Sequence, residues 1–140
     1  MARIVLISCV KKKIKHEAKA KDLYCSPLFK LSWEYAQTLN PDKIFILSAK
    51  YYLLDPEKVV EPYNKTLNEM SAEERMEWGT EVLRQLSKEA NLQNDKFIIL
   101  AGERYLEPIR DKIVQKEEPL KGLPIGKRIS RLKKLIKARS

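Results

Sequence analysis

The sequence is poor in the residues that most catalytic chemistry uses. It has one histidine, His16, set in a lysine-rich stretch with no evident partner, which argues against a Ser-His-Asp type triad. Its two cysteines, Cys9 and Cys25, are too few for a disulfide framework and fit a reducing compartment. Cys9, His16 and Cys25 have no zinc-ligand spacing and no fourth candidate, so no metal is expected, and no cofactor. A Walker motif, a Gly-x-Gly-x-x-Gly fingerprint, a serine-hydrolase elbow and a His-Glu-x-x-His pair are all missing. No apolar run approaches the roughly 18 residues of a membrane span. The chain opens directly on a strand without a signal-peptide pattern, so a cytoplasmic, non-membrane protein is expected. Internal repeats and low-complexity segments are also missing.

A chain of 140 residues, 44% hydrophobic and 34% charged, is expected to form one globular domain over residues 1–140. Its net charge of +9 is concentrated in two places. Residues 10–21 carry six lysines against one acid, and residues 127–140 carry seven bases and no acid. Together these segments hold +12, so the remainder sums to −3. Localised positive charge of this kind favours a polyanion such as nucleic acid, or an anionic membrane surface.

Three continuous apolar runs, Ile4–Ile7, Ile44–Leu47 and Phe97–Leu100, are separated by helical patterns. They read as buried parallel strands. The expected fold is α/β and three-layered, with a mainly parallel sheet of three or four strands and helices on both faces. Ser26-Pro27 is a helix start, with an apolar stripe through Leu28, Leu31, Tyr35 and Leu39. Ser71 and Glu74 form a capping box ahead of a helix that runs to about Ala90. A third helix is expected from Glu103 to about Gln115, and a basic terminal helix over about 127–138. The segment from Lys50 to Met70 is long and irregular, but Leu53, Leu54, Val59 and Val60 predict that it packs down as an ordered flap, with a short strand near Val59–Val60.

Each apolar run leads into a polar cluster, and ligands of open α/β sheets bind outside the carboxyl ends of strands. After the first run, Ser8, Lys11 and Lys13 are candidate anion binders. Cys9 is open to two readings, nucleophile or small buried hydrophobe. Tyr24 is placed to stack or pack, and Ser26 to cap its helix or sit beside an anion. After the second run come Ser48, Lys50 and Tyr51, with Tyr63 following in the flap. Lys50 either snorkels to water or binds an anion. After the third, Gly102 allows close approach of a ligand. Glu103 is either a first-turn acid favoured by the helix dipole or, if partly buried under the flap, a general acid or base. Lys127, Arg128, Arg131 and Lys134 are the candidate nucleic-acid contacts.

Six separated motifs run through these residues. They are Ile7-Ser8-Cys9-x-Lys11-x-Lys13, Asp22-Leu23-Tyr24-x-Ser26-Pro27, Ser48-Ala49-Lys50-Tyr51-x-Leu53-Leu54-Asp55-Pro56, Glu61-Pro62-Tyr63-x-x-Thr66-Leu67, Leu100-Ala101-Gly102-x-x-Tyr105 and Pro119-Leu120-x-Gly122-Leu123-Pro124-Ile125-Gly126. Over nearly its whole length the chain resembles an uncharacterised bacterial and phage family distantly related to the YaaA peroxide-stress proteins. The resemblance implies DNA binding and a part in limiting oxidative DNA damage.

The combined expectation is a strand-end pocket for a nucleotide-like, phosphate-bearing ligand, free or within a nucleic acid. Chemistry at a nucleobase or sugar, such as N-glycosidic cleavage, would use Glu103 as acid/base. The second reading is a non-enzymatic nucleic-acid-binding module. The sequence leaves the oligomeric state open.

Overall fold

The computed structural model describes residues 1–9 and 13–139. In chain order the elements are β1 (Arg3–Ser8), β2 (Ala18–Lys19), α1 (Ala20–Leu23), α2 (Pro27–Thr38), β3 (Lys43–Ser48), β4 (Tyr52–Leu54), β5 (Val59–Val60), α3 (Ala72–Glu89), β6 (Lys96–Leu100), α4 (Glu103–Leu106), β7 (Gln115–Glu117) and α5 (Ile125–Arg139). The three apolar runs are the three central strands. β1 lies between β3 and β6 and is parallel to both, and its Ile4 to Ile7 are almost completely buried.

The sheet has five strands in the order β4-β3-β1-β6-β7, more than the three or four expected. The additional strands lie at its edges. β4 turns back antiparallel on β3, and β7 adds in parallel to β6. Neither has a continuous apolar run: β7 is Gln-Lys-Glu, a charged edge that discourages pairing with another chain.

Helix boundaries follow local chemistry. Ser26 Oγ accepts from the Phe29 N–H and Pro27 fills the first turn, which starts α2. Asn40, in the left-handed region at φ 48°, follows the end of α2. The α3 capping box is formed in both directions, Ser71 to Glu74 and back. The helix expected over 103–115 is instead the single turn α4, followed by a 3-10 turn at Arg110–Lys112. Pro108 cannot continue the ladder, and it packs against Gly79 of α3, where an added Cβ would come within 2.6 Å of it. The terminal helix starts two residues earlier than expected, at Ile125.

The β1-α2-β3 connection moves one way along the sheet, and β3-α3-β6 returns past β1 to its other side. Right-handed crossovers therefore put α2 and α3 on opposite faces. Packing agrees: α5 lies against α2, and α4 lies against α3, where Trp78 meets the Tyr105 ring edge-on at 5.6 Å. The three layers are α2 and α5, the sheet, and α3 with α4. The flap is ordered, as its apolar residues predict. Leu54, Val60 and Leu67 are buried, and β5 pairs with β2, tying the flap to the lysine-rich segment.

Candidate functional site

The chain leaves β1 towards α2 on one face and leaves β6 towards α4 on the other. Two adjacent parallel strands whose connections part in this way open a crevice at their carboxyl ends. A cleft of about 530 Å³ lies there. Its floor is formed by Ser8 and Cys9 after β1 and by Gly102 and Glu103 after β6. Thr66 and Asn68 of the flap make one wall, and Leu28, Ile125 and Arg128 from the starts of α2 and α5 make the other. The volume falls within the roughly 300–1,000 Å³ typical of small-molecule sites.

Two arginines, Arg104 and Arg128, line this cleft, and Arg128 is the one whose guanidinium is fixed by the fold. Its Nε donates to the Leu123 carbonyl at 2.7 Å, which holds the guanidinium in place. Both terminal nitrogens lie over Gly102, and a Cβ on that residue would stand 3.1 Å from Nη1 and 3.5 Å from Nη2. Gly102 thus provides the space that the guanidinium occupies. Among the described residues, neither terminal nitrogen has a hydrogen-bond acceptor. A planar cation held by one donor, with two others aimed into a cleft, suits bidentate binding of a phosphate or carboxylate.

Glu103 borders the cleft but is not buried under the flap. Its side chain is 52% exposed, and both carboxylate oxygens accept from Arg110, at 2.6 and 2.9 Å. These hydrogen bonds hold its pKa below the ordinary value, so at neutral pH it has no proton to donate. Arg110 also bridges to Glu118, which makes the group an ion-pair network at the start of a helix. Cys9 follows the buried-hydrophobe reading in its packing: it is 6% exposed, and its thiol lies 3.2 Å from the Tyr105 hydroxyl.

The end of β3 does not contribute to the cleft. Ser48 is completely buried, and its Oγ accepts from the N–H groups of Lys50 and Tyr51, at 3.3 and 3.0 Å. With both acceptor positions used, its proton is directed to the Tyr63 hydroxyl at 2.8 Å, and Tyr63 is bonded in turn to Tyr24 at 2.7 Å. Tyr24 is 1% exposed and offers no stacking face. Burial raises the pKa of Tyr24 and of Tyr63, so both remain neutral hydroxyls. The Lys13 ammonium sits 4.2 Å from the Tyr63 ring centroid, and burial lowers its pKa against the opposing effect of Cys9 and Cys25 nearby. Four expected ligand contacts thus form one internal cluster: the hydroxyls of Tyr24, Ser48 and Tyr63 bond one another, and Lys13 lies over the two tyrosine rings.

Among the remaining expected residues, Ser26 caps α2 and Lys50 is exposed beside the Tyr51 ring, both outside the cleft lining. Lys11 lies outside the described residues. Lys127, Arg131 and Lys134 are exposed on α5. Two contributors went unseen in the sequence, Asn68 and Glu69, and Tyr105 stood there only within a motif. A signal for Asn68 exists in Thr66, whose side chain accepts from the Asn68 N–H and starts a 3-10 turn at Leu67–Glu69.

The model of a family of unknown function, DUF6884, matches residues 4–134. The chain belongs to this family. No curated protein matches it. The DUF6884 match runs from β1 past Arg128 on α5, so every segment that borders the cleft lies within the family's span. No helix among the described residues is long and apolar enough to cross a membrane, and none of their acidic, histidine and cysteine side chains group as metal ligands.

Proposed function

We propose that this DUF6884 member binds a phosphate-bearing nucleotide in the cleft between the carboxyl ends of β1 and β6. The observation that carries this reading is the Arg128 guanidinium, fixed through Nε and presenting both terminal nitrogens over Gly102. The phosphate lies against Arg128 and beside Ser8, and the base and sugar face Thr66 and Asn68. The likeness to YaaA-type proteins, with their link to DNA, supports the same ligand class.

Binding is assigned to the cleft in preference to general acid catalysis, because the Glu103 carboxylate is committed to Arg110. Calorimetric titration with nucleosides and their 5′-monophosphates tests the reading. Monophosphates bind, and Arg128→Met weakens them by roughly 10- to 100-fold, the scale of a charge-assisted bidentate contact. Equal affinity for nucleoside and monophosphate would sink the proposal. Release of free base from nucleosides or DNA at a rate that falls with Glu103→Gln would replace binding by N-glycosidic chemistry.

A further inference from the structure

Helix α5 runs parallel to α2, and this aligns its charge with the cleft. Ile125 and Arg128 stand beside Leu28 at the cleft, and at the other end the Arg139 Nε donates to the Thr38 carbonyl that closes α2. The helix is about 22 Å long at 1.5 Å per residue. Leu132, Leu135 and Ile136 dock inward, whereas Lys127, Arg131 and Lys134 are exposed. Their i, i+4, i+7 spacing puts these three bases in one row. No carboxylate pairs with any of them among the described residues. Elsewhere many surface bases are neutralised: Lys19 and Lys21 by Glu57, Lys43 by Glu89, Lys96 by Glu117 and Arg84 by Glu81. The rest of the cleft lining holds the exposed Glu69 and Arg104, and Glu103, whose carboxylate is paired with Arg110.

We infer that the cleft and the outer row of α5 form one continuous site for a single-stranded nucleic acid. This rests on the nucleotide reading of the cleft. One nucleotide enters the cleft with its phosphate on Arg128, and the neighbouring phosphates follow Lys127, Arg131 and Lys134 down the helix. A single strand is required because the floor is formed by strand ends below a rim, where a paired nucleotide has to leave its stack to enter.

Two readouts separate this inference from the reading it rests on. Calorimetry with nucleoside 5′-monophosphates reports the cleft, and fluorescence anisotropy of a labelled mixed-sequence strand of about 12 nucleotides reports the whole path. Four phosphate contacts predict a log affinity against log salt slope of about −3 for the strand. The K127Q/R131Q/K134Q variant weakens the strand at least about tenfold and flattens that slope, while monophosphate affinity falls far less. A saturating monophosphate also weakens strand binding. Strand affinity indifferent to the saturating monophosphate overturns the continuous site, even if the triple variant fails to fold. A strand that binds while no monophosphate does so defeats the nucleotide reading of the cleft. A blunt duplex that displaces the monophosphate as well as the strand does overturns the single-strand assignment.

Discussion

The cleft at β1 and β6 and the tyrosine cluster at the end of β3 draw on the same kind of sequence, a buried strand running into polar residues. Their fates are opposite. Behind β3, Ser48, Tyr63 and Tyr24 consume each other's hydrogen bonds and Lys13 covers the rings. No buried side-chain nitrogen or oxygen among the described residues lacks a partner. In the cleft, Arg128 has one nitrogen engaged and two unused. Polarity at a strand end therefore does not by itself mark a site. Fixed donors left unpaired within a cleft do, because a ligand can meet them without breaking bonds inside the protein.

The comparison breaks most visibly at Tyr63. Tyr63→Ala removes a ring packed edge-on against Tyr24 and Tyr51 and leaves the Tyr24 hydroxyl without its partner. A loss of about 3 kcal/mol in denaturant unfolding is expected, with monophosphate affinity nearly unchanged in the folded protein. A loss below about 1 kcal/mol would mean that the cluster is not a structural unit. Arg128→Met is the mirror case, with a stability loss of about 1 kcal/mol, the scale of its bond to the Leu123 carbonyl, but monophosphate affinity lowered roughly 10- to 100-fold.

A smaller effect is expected at Arg110. The Glu103 pKa is held below its ordinary 4.5, first by the hydrogen bonds from Arg110. A carboxyl lowered on folding contributes stability above its unfolded pKa and loses it as pH falls through the folded value. Arg110→Met should therefore cost about 1 kcal/mol near pH 7 after solvent screening is allowed for, and the two proteins should converge in acid. A difference that persists unchanged below the Glu103 titration would point to lost packing instead. Gly102→Ala displaces the guanidinium by a few tenths of an ångström, so a several-fold loss of monophosphate affinity is expected, with little change in stability. The smallest effect is kinetic: a thiol reagent modifies the half-exposed Cys25 before the buried Cys9, and cleft ligands slow Cys9 further.

Much of the fold was legible because burial imposes patterns on sequence. β3 spans the residues its apolar run predicts, and Ser26, Ser71 and Glu74 cap their helices as their identities require. The edge strands were not legible. β7 is held by backbone bonds to β6, and its side chains carry no apolar signature of that contact. The candidate site divides in the same way. Ser8, Gly102 and Glu103 were visible as ends of buried strands, whereas Arg128 read only as one more base on a basic helix.

The sequence by itself determined the three central strands, the caps of α2 and α3 and the segregation of charge, since each depends on residues close together in the chain. Only the tertiary structure decided which strand ends stay open. Ser48 lies 15 residues from Tyr63, and Tyr24 is 39 from it, so their mutual satisfaction exists only once the flap folds over β3. The Arg128 guanidinium meets Gly102 only because α5 packs in parallel along α2 and brings its first turn to the end of β6. Spare hydrogen-bonding capacity depends on which distant groups meet, and local sequence carries no record of that.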